Sequence, residues 1–168
     1  NCNIQNPNGN TALMTIFEKC MVSFQVLKEL MVRTDVNIQN KFGYTALMMV
    51  ARFSKTDRTD EIIKLLAPLT DCNLQNEKGW TALMMAARSS NTDSTEGAVK
   101  ILAPLTDCNL HDKEGWTALM MAARYSNTDS TEGTVKILAP LTDCNLQDKR
   151  GWTALMIAAR TSNSGSTE

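Results

Sequence analysis

Cysteine and histidine are the residues of this chain that metal binding or nucleophilic catalysis would need first. Cys72, Cys108 and Cys144 lie 36 residues apart, each in the segment Asp-Cys-Asn. Cys2 occurs in the similar segment Asn-Cys-Asn, and Val36 occupies the equivalent position 36 residues before Cys72. Equivalent residues of stacked repeats lie beyond the roughly 7 Å between Cα atoms that a disulfide allows. Because valine is accepted at the equivalent position, we expect small, packed, reduced thiols and a reducing compartment.

His111 is the only histidine. It takes the place that glutamine has at Gln39, Gln75 and Gln147, which is typical of a polar surface or turn residue. A Ser-His or Cys-His pair, or a histidine metal site, would depend on this one residue. No glycine-rich phosphate loop is present either. The sequence therefore predicts no catalytic residues, no metal site and no cofactor.

Oxygen-bearing side chains at Asn91, Asp93 and Glu96 have the composition of calcium ligands. The same three residue types recur at Asn127, Asp129 and Glu132. Their spacing does not match a known calcium loop, and the glycine of such a loop is absent. We interpret them as a solvated loop that caps the helix after it.

The charge and length of the chain exclude several classes of function. The formal net charge of −1 gives no broad positive field, so nucleic acid is a poor partner. No apolar run approaches the roughly 20 residues that span a bilayer, and no secretory signal is visible. We predict a single domain, residues 1–168, and a cytoplasmic location. The chain opens on NCNIQN and closes on SNSGSTE, both inside a repeat, which favours a fragment of a longer array.

A phrase of the form G-x-T-A-L-M occurs five times. Its glycines are spaced by 34, 36, 36 and 36 residues, at Gly9, Gly43, Gly79, Gly115 and Gly151. A fixed period of this size indicates stacked structural units. The units from Asn73 and from Asn109 differ at only six of their 36 positions.

The first half of a unit predicts a helix and a loop. Thr81 suits the N-cap of a helix that continues to Arg88. That helix is apolar nearly all round, so we expect it to be covered on more than one side. The polar stretch from Ser89 to Gly97 is predicted as a loop.

The second half predicts another helix and a tight turn. Apolar residues recur at helical spacing, at Ala98, Ile101, Leu102 and Leu105. Pro104 limits this helix, and Asn76 and Gly79 suit the ends of a type I turn. Stacking such units predicts an all-α repeat solenoid of four complete helix pairs and a fifth first helix, which lacks a partner and should fray.

These phrases resemble the ankyrin repeat family. GWTALMMAA, AVKIL and DCN match that family's G-x-T-P-L-H-x-A-A phrase, its second helix and its D-V-N segment, over essentially the whole chain. Alanine replaces the family's proline, methionine replaces its histidine, and the loop between the helices is longer. We expect the first two changes to cost rigidity rather than the fold. The long SNTDSTE loop is also similar to ankyrin proteins of amoeba-infecting giant viruses, which would imply a host-cell cytoplasm, with divergent protists as the other candidate.

The resemblance implies a concave face formed by the turns and the first helices, and a partner protein along it. The family also implies that the asparagine of the D-V-N segment can be hydroxylated, which maps to Asn37, Asn73, Asn109 and Asn145. Neither implication follows from the repeat pattern alone.

The positions that vary between units cluster around the turn. We call this segment the finger, residues 75–80 in the third unit and their equivalents in the others. Four of the six differences between the two near-identical units fall in it. Units that keep their helices and vary their fingers are typical of modules that read different parts of one partner, although drift of exposed positions would look the same.

Two further sets of residues recur in register. An arginine closes each first helix from the second unit on, at Arg52, Arg88, Arg124 and Arg160, where the helix dipole favours a cation; a stripe for an acidic partner is the alternative. The residue before each TALM is Asn10, Tyr44, Trp80, Trp116 and Trp152. Since we expect a core position to reject asparagine, we predict that the aromatic residues form an exposed row.

We therefore predict a non-catalytic scaffold that binds a partner protein, as a monomer, without nucleic acid or membrane. The predicted contact residues are the aromatics Tyr44, Trp80, Trp116 and Trp152, the finger residues Lys41, Phe42, Glu77, Lys78, Lys113, Glu114, Lys149 and Arg150, and Phe53 and Tyr125 after the arginines. The alternatives are a structural solenoid that self-assembles, and an interaction arm of an enzyme whose catalytic domain lies outside the sequence.

Overall fold

Short helices make up most of the described part of the chain, and a tight turn lies between one unit and the next. The computed structural model describes residues 2–19, 24–53, 58–89, 94–125 and 129–162. Within these ranges the helices are α1 (Ala12–Lys19), α2 (Phe24–Arg33), α3 (Ala46–Phe53), α4 (Thr59–Leu66), α5 (Ala82–Arg88), α6 (Ser94–Leu102), α7 (Ala118–Arg124), α8 (Asp129–Leu138) and α9 (Ala154–Ser162).

The helices form two layers. The first helices lie in one row, because α1 contacts α3, α3 contacts α5, α5 contacts α7 and α7 contacts α9. The second helices α4, α6 and α8 form the other row, and each pairs with the first helix of its own unit. This confirms the predicted solenoid of four helix pairs followed by a fifth first helix. None of the helices in the described ranges is both long enough and apolar enough to cross a membrane.

The first helices begin and pack as the TALM phrase predicts. The Thr81 hydroxyl accepts a hydrogen bond of 3.2 Å from the Met84 amide, which satisfies one of the free N–H groups at the start of α5. All residues from Ala82 to Ala87 are buried, because neighbouring units and the second helix cover the helix on several sides. The methionine that stands in place of the family's histidine is therefore part of the core.

The second helices begin earlier than predicted. In the third unit α6 starts at Ser94, so residues 94–97 are helical and the prediction of a loop as far as Gly97 is wrong. A helix needs an apolar stripe on only one side, and the buried Ala98, Val99 and Leu102 supply it. Glu96 lies in the first turn, where the helix dipole favours an acidic residue. Residues 90–93 lie outside the described part of the chain.

Pro104 ends α6 as predicted, but the chain does not leave the helical path at once. Residues Ala103–Leu105 form a 3₁₀ turn. A 3₁₀ helix has about three residues per turn, so the side chain of Leu105, seven positions after Ala98, is rotated away from the α-helical stripe. Leu105 is consequently 46% exposed, and its prediction as part of the apolar face is wrong.

The finger is closed by its asparagine and its glycine, as the sequence predicts. The Gly79 amide donates to the Asn76 carbonyl at 2.8 Å, and Gly79 has a φ of +80°. A Cβ atom at Gly79 would lie 2.9 Å from the Cα of Asp112 in the next finger. Glycine is therefore needed twice, for the left-handed backbone and for the close approach of two fingers.

Neighbouring fingers are joined through their backbones. The second turn residue donates to the third turn residue of the finger before it, as Lys113 does to the Lys78 carbonyl at 3.0 Å. The same bond joins Lys149 to Glu114. The fingers thus form one continuous, ordered edge beside the row of first helices.

Candidate functional site

The aromatic residue before each TALM phrase lies where the finger meets its first helix. Tyr44, Trp80, Trp116 and Trp152 are partly buried and pack against the hydrophobic core from its edge. One side of each ring therefore contributes to packing, and the remainder is accessible. The row is less exposed than the sequence suggested.

Trp80 also links two units. Its backbone amide donates to the Asn76 side-chain oxygen at 2.9 Å, which fixes the ring at the base of its own finger. Its indole Nε1 donates to Asp112 Oδ2 of the next finger, also at 2.9 Å. A hydrogen bond from a neutral donor to a carboxylate is stronger than a neutral pair, so this contact holds the orientation of the indole.

Asn10 is buried, so the exposed row predicted from asparagine at this position is wrong. Asn10 is only 3% exposed. Its side-chain oxygen accepts a 2.8 Å hydrogen bond from Asn40 Nδ2 of the next unit. A buried amide is tolerated when its polar atoms have partners, so asparagine at this position does not indicate exposure.

Three of the arginines that close the first helices lie over these rings. The guanidinium carbon of Arg88 is 4.8 Å from the centre of the Trp80 ring, and that of Arg160 is 5.3 Å from the Trp152 ring. Arg52 lies 5.7 Å from the centre of the Tyr44 ring and donates to its hydroxyl at 3.0 Å. These distances are those of cation–π pairs. The arginines also occupy the last helical turn, so the predicted dipole role and the ring contact coexist.

This pairing was not predicted, although the sequence carries a signal for it. Each aromatic residue precedes an arginine by eight positions, as in Trp80 and Arg88. The first unit lacks both, with Asn10 in the aromatic position and Glu18 in the arginine position. The two residue types therefore change together within the chain, as a contacting pair would.

Two grooves lie between consecutive aromatic–arginine pairs. The central groove, of about 250 Å³, is lined by Trp80, Arg88, Asp112, Glu114, Trp116, Met121, Arg124 and Tyr125. The C-terminal groove, of about 280 Å³, is lined by Glu114, Trp116, Arg124, Asp148, Lys149, Arg150, Trp152, Ile157 and Arg160. Each groove draws residues from two units, and Glu114, Trp116 and Arg124 border both.

Only some of the predicted contact residues meet in these grooves. The central groove contains Trp80, Glu114, Trp116 and Tyr125, and the C-terminal groove adds Lys149, Arg150 and Trp152. Tyr44, Lys41, Phe42, Glu77, Lys78 and Lys113 line neither groove. The side chain of Phe53 lies outside the described part of the structure. The arginines, Asp112, Asp148, Met121 and Ile157 complete the grooves and were not predicted as contacts.

The two aspartates in the grooves are structural acceptors. Asp112 Oδ1 accepts the amides of Glu114 and Trp116, both at 2.8 Å. Asp148 Oδ1 accepts the amides of Arg150 and Trp152 at 2.8 and 2.9 Å. Both carboxylates therefore stabilise the turns of their own fingers.

Among the described cysteines Cys72 and Cys108 are buried, Cys2 is half-buried and Cys144 is exposed, so the prediction of packed thiols is wrong for Cys144. Cys72 is buried, with its Sγ 3.5 Å from the Ala67 carbonyl, and its sequence equivalent Val36 is buried as well. Burial raises the pKa of the Cys72 and Cys108 thiols, and the adjacent aspartates act in the same direction, which disfavours the reactive thiolate. His111 is exposed beside its finger.

The asparagines of the D-x-N segments join successive units. Asn73 Oδ1 accepts the backbone amide of Asp107 at 2.8 Å, and Asn37 accepts that of Asp71 at the same distance. Asn91, Asp93 and Asn127, from the calcium-like sets, lie outside the described residues. Among the described residues no three histidine, cysteine or acidic side chains cluster as a metal site.

Comparisons with known proteins agree with the fold described above. The family model of ankyrin repeats in three copies matches residues 18–102 and 92–167. The crystal structure of the ankyrin repeat protein EF0377 is similar, with a TM-score of 0.81 and 23% sequence identity over 98% of this chain and 81% of that chain. No curated protein is found to match the sequence. Ankyrin repeats are generally protein–protein interaction modules, and the fold is typically non-catalytic. The chain belongs to the ankyrin repeat family.

Proposed function

We propose that this chain is a non-catalytic, intracellular scaffold that binds a partner protein along the face formed by its fingers and first helices. The observation that carries the proposal is the pair of adjacent grooves, each bordered by a tryptophan and an arginine from two successive units. An extended segment of a partner would cross one groove after the other.

The chemistry of the groove borders supports this role. Tryptophan, tyrosine and arginine are the residues that most often dominate the energy of protein interfaces. Here Trp80 is held by a hydrogen bond to Asp112 and by the guanidinium of Arg88. Side chains that are already ordered lose less conformational entropy when a partner binds.

The first finger bears on the alternative of a head-to-tail self-assembling array. In the later fingers the second turn residue donates its amide to the preceding finger, as Lys41 does to Asn8 at 3.2 Å. The equivalent residue of the first finger is Pro7, which has no amide hydrogen. Any unit stacked before the first finger in repeat register would lack this bond, so backbone pairing between fingers does not favour self-assembly over a partner of a different kind.

The test is partner capture by a variant with Trp80, Trp116 and Trp152 changed to alanine. We expect most recovery of a specific partner to be lost, because truncating a central aromatic commonly costs about 2 kcal/mol or more of binding energy. Recovery is measured by affinity capture followed by quantitative mass spectrometry.

A matched control removes three exposed apolar side chains that lie outside both grooves. Leu69, Leu105 and Leu141 are exposed in the 3₁₀ turns and line neither groove. Changing all three to alanine should leave capture unaltered. Circular dichroism establishes that both variants are folded, and a folded tryptophan variant that still recovers the partner would refute the proposal.

A further inference from the structure

We propose that the two grooves read different chemistry: an apolar side chain in the central groove and an aspartate or glutamate side chain of the same peptide in the C-terminal groove. The inference rests on the proposed function and adds the chemical class of the partner segment. It follows from the charges that the fingers contribute to each groove.

The central groove is balanced in charge and aromatic at its border. Arg88 and Arg124 are matched by Asp112 and Glu114. Arg88 lies between the Trp80 and Tyr125 rings, at 4.8 and 6.0 Å from their centres. With its cations opposed by carboxylates, this groove offers mainly aromatic surface, which suits an apolar side chain.

The C-terminal groove carries an excess of cations. Arg124, Lys149, Arg150 and Arg160 face only Glu114 and Asp148. Asp112 and Asp148 are both buried and both accept two amides of their own finger, so they do not distinguish the grooves. The central groove has two cations and two carboxylates, whereas the C-terminal groove has four cations and two carboxylates.

Glu114 forms an exposed ion pair with one of these cations. Lys149 Nζ lies 3.9 Å from Glu114 Oε1, and both side chains are well exposed. The three arginines then exceed the carboxylates that face them. Guanidinium groups bind carboxylates through two parallel hydrogen bonds, which makes an acidic side chain the complementary ligand.

One finger position decides the difference between the grooves. The third turn residue is Glu114 in the fourth finger and Arg150 in the fifth, while the tryptophan and the arginine of each unit stay the same. The tryptophans and arginines are present in both grooves, and the third turn residue sets the net charge of each groove. This role of the finger accounts for the position of four of the six differences between the two near-identical units.

The spacing of the two features follows from the repeat. Packed helices lie about 8–10 Å apart, and an extended chain advances about 3.3 Å per residue. An apolar residue in the central groove and an acidic residue in the C-terminal groove should therefore be about three positions apart.

The test is selection of displayed random peptides of about twelve residues, long enough to cross both grooves in extended form. We expect the retained peptides to be enriched in an acidic residue about three positions from a large apolar one. A synthetic peptide with a selected sequence is then titrated by fluorescence anisotropy, together with its Glu→Gln form. We expect the glutamine form to bind about tenfold more weakly or worse, and the loss to shrink at high salt.

The matched variant is Arg150→Glu. It gives the fifth finger the turn sequence of the fourth, Asp-Lys-Glu-Gly, so the folded array already contains such a finger. It should weaken the acidic peptide about tenfold or more and abolish the difference between the glutamate and glutamine forms. Lys100→Glu on α6 makes the same change of charge outside both grooves and should have no such effect.

The outcomes separate this inference from the proposed function. Peptides whose binding requires Trp116 but shows no acidic preference and no response to Arg150→Glu would overturn the inference and leave the scaffold proposal standing. Peptides that bind the tryptophan-to-alanine variant equally well, or a selection that retains no peptide, would contradict both.

Discussion

A single carboxyl group illustrates how stacking alters a residue's chemistry. Asp60 lies in the first turn of α4, and its carboxyl occupies the space that a Cβ atom at Gly97 of α6 would need. Its Oδ1 atom is buried and has no hydrogen-bond partner within the described residues. Burial raises the pKa of Asp60 above its ordinary value of 3.8, and the charge of Lys64 opposes the rise. The charged form is thus less favourable in the folded chain than in the unfolded one.

This raised pKa gives a pH-dependent prediction for Asp60→Asn. The folded state holds the proton more tightly, so Asp60 favours folding below pH 3.8 and this contribution is lost as pH rises through the higher folded pKa. We expect the variant to be more stable than the parent chain near neutral pH and to lose less stability between about pH 4 and about pH 7. Urea unfolding at several pH values measures both.

Glu61→Gln is the control for Asp60→Asn. It removes the same charge from an exposed neighbour in the same helical turn. If both variants shift the free energy of unfolding equally at every pH, loss of the helix-dipole interaction rather than relief of burial would be the cause.

At the scale of the element, the finger is the part of the unit whose geometry is most tightly constrained. The Asn76 side-chain oxygen accepts the amides of Lys78 and Trp80, both at 2.9 Å, and the Gly79 amide closes the turn. The same bonds place the tryptophan beside the next finger. A change in the turn should therefore affect both stability and the grooves.

Gly79→Ala and Gly151→Ala separate the two reasons for glycine in this turn. Both residues have a φ near +80°, so each alanine should cost about 1–2 kcal/mol for the left-handed backbone. Only Gly79 faces backbone atoms of another finger, at 2.9 Å, whereas Gly151 has nothing within 4 Å of an added Cβ. We expect Gly79→Ala to lose on the order of 3 kcal/mol or more in total. Urea unfolding followed by circular dichroism compares them, and equal losses would show that close approach contributes nothing.

At the scale of the whole molecule, position in the array decides burial. Leu119 in α7 is 4% exposed, and its equivalent Leu155 in α9 is 77% exposed. Both residues are leucines, and they lie in nearly identical segments, TALMMAAR and TALMIAAR. They differ because α9 covers α7, and no described helix covers the outer side of α9.

Leu119→Ala and Leu155→Ala should therefore differ widely. Truncating a buried leucine costs about 2–5 kcal/mol, whereas an exposed substitution usually changes stability by less than about 0.5 kcal/mol. Thermal and urea unfolding measure the two values. A large loss at Leu155 would indicate that the outer face of α9 is covered in solution.

Much of the fold was predictable because its determinants are local. The N-cap at Thr81, the turn from Asn76 to Gly79 and the end of α6 at Pro104 each depend on residues within a few positions of one another. Because the units repeat the same sequence pattern, a prediction made for one unit applies to the others. The start of α6 was predicted too late because polar residues on one face of a helix look like a loop in the sequence. Leu105 was predicted as buried because the 3₁₀ turn that contains Pro104 looks like a continuation of the apolar stripe.

The sequence by itself determined the repeat, the caps, the turns and the burial of Cys72 and Cys108, since neighbouring residues and their periodicity specify these. Only the tertiary structure decided that Arg88 lies over Trp80, that the Trp80 indole bonds to Asp112, and that Asn10 is buried. The contacts of Asn10 and of the Trp80 indole join residues of successive units, about one repeat apart in sequence. The grooves exist for the same reason: each is formed between two units and belongs to neither alone.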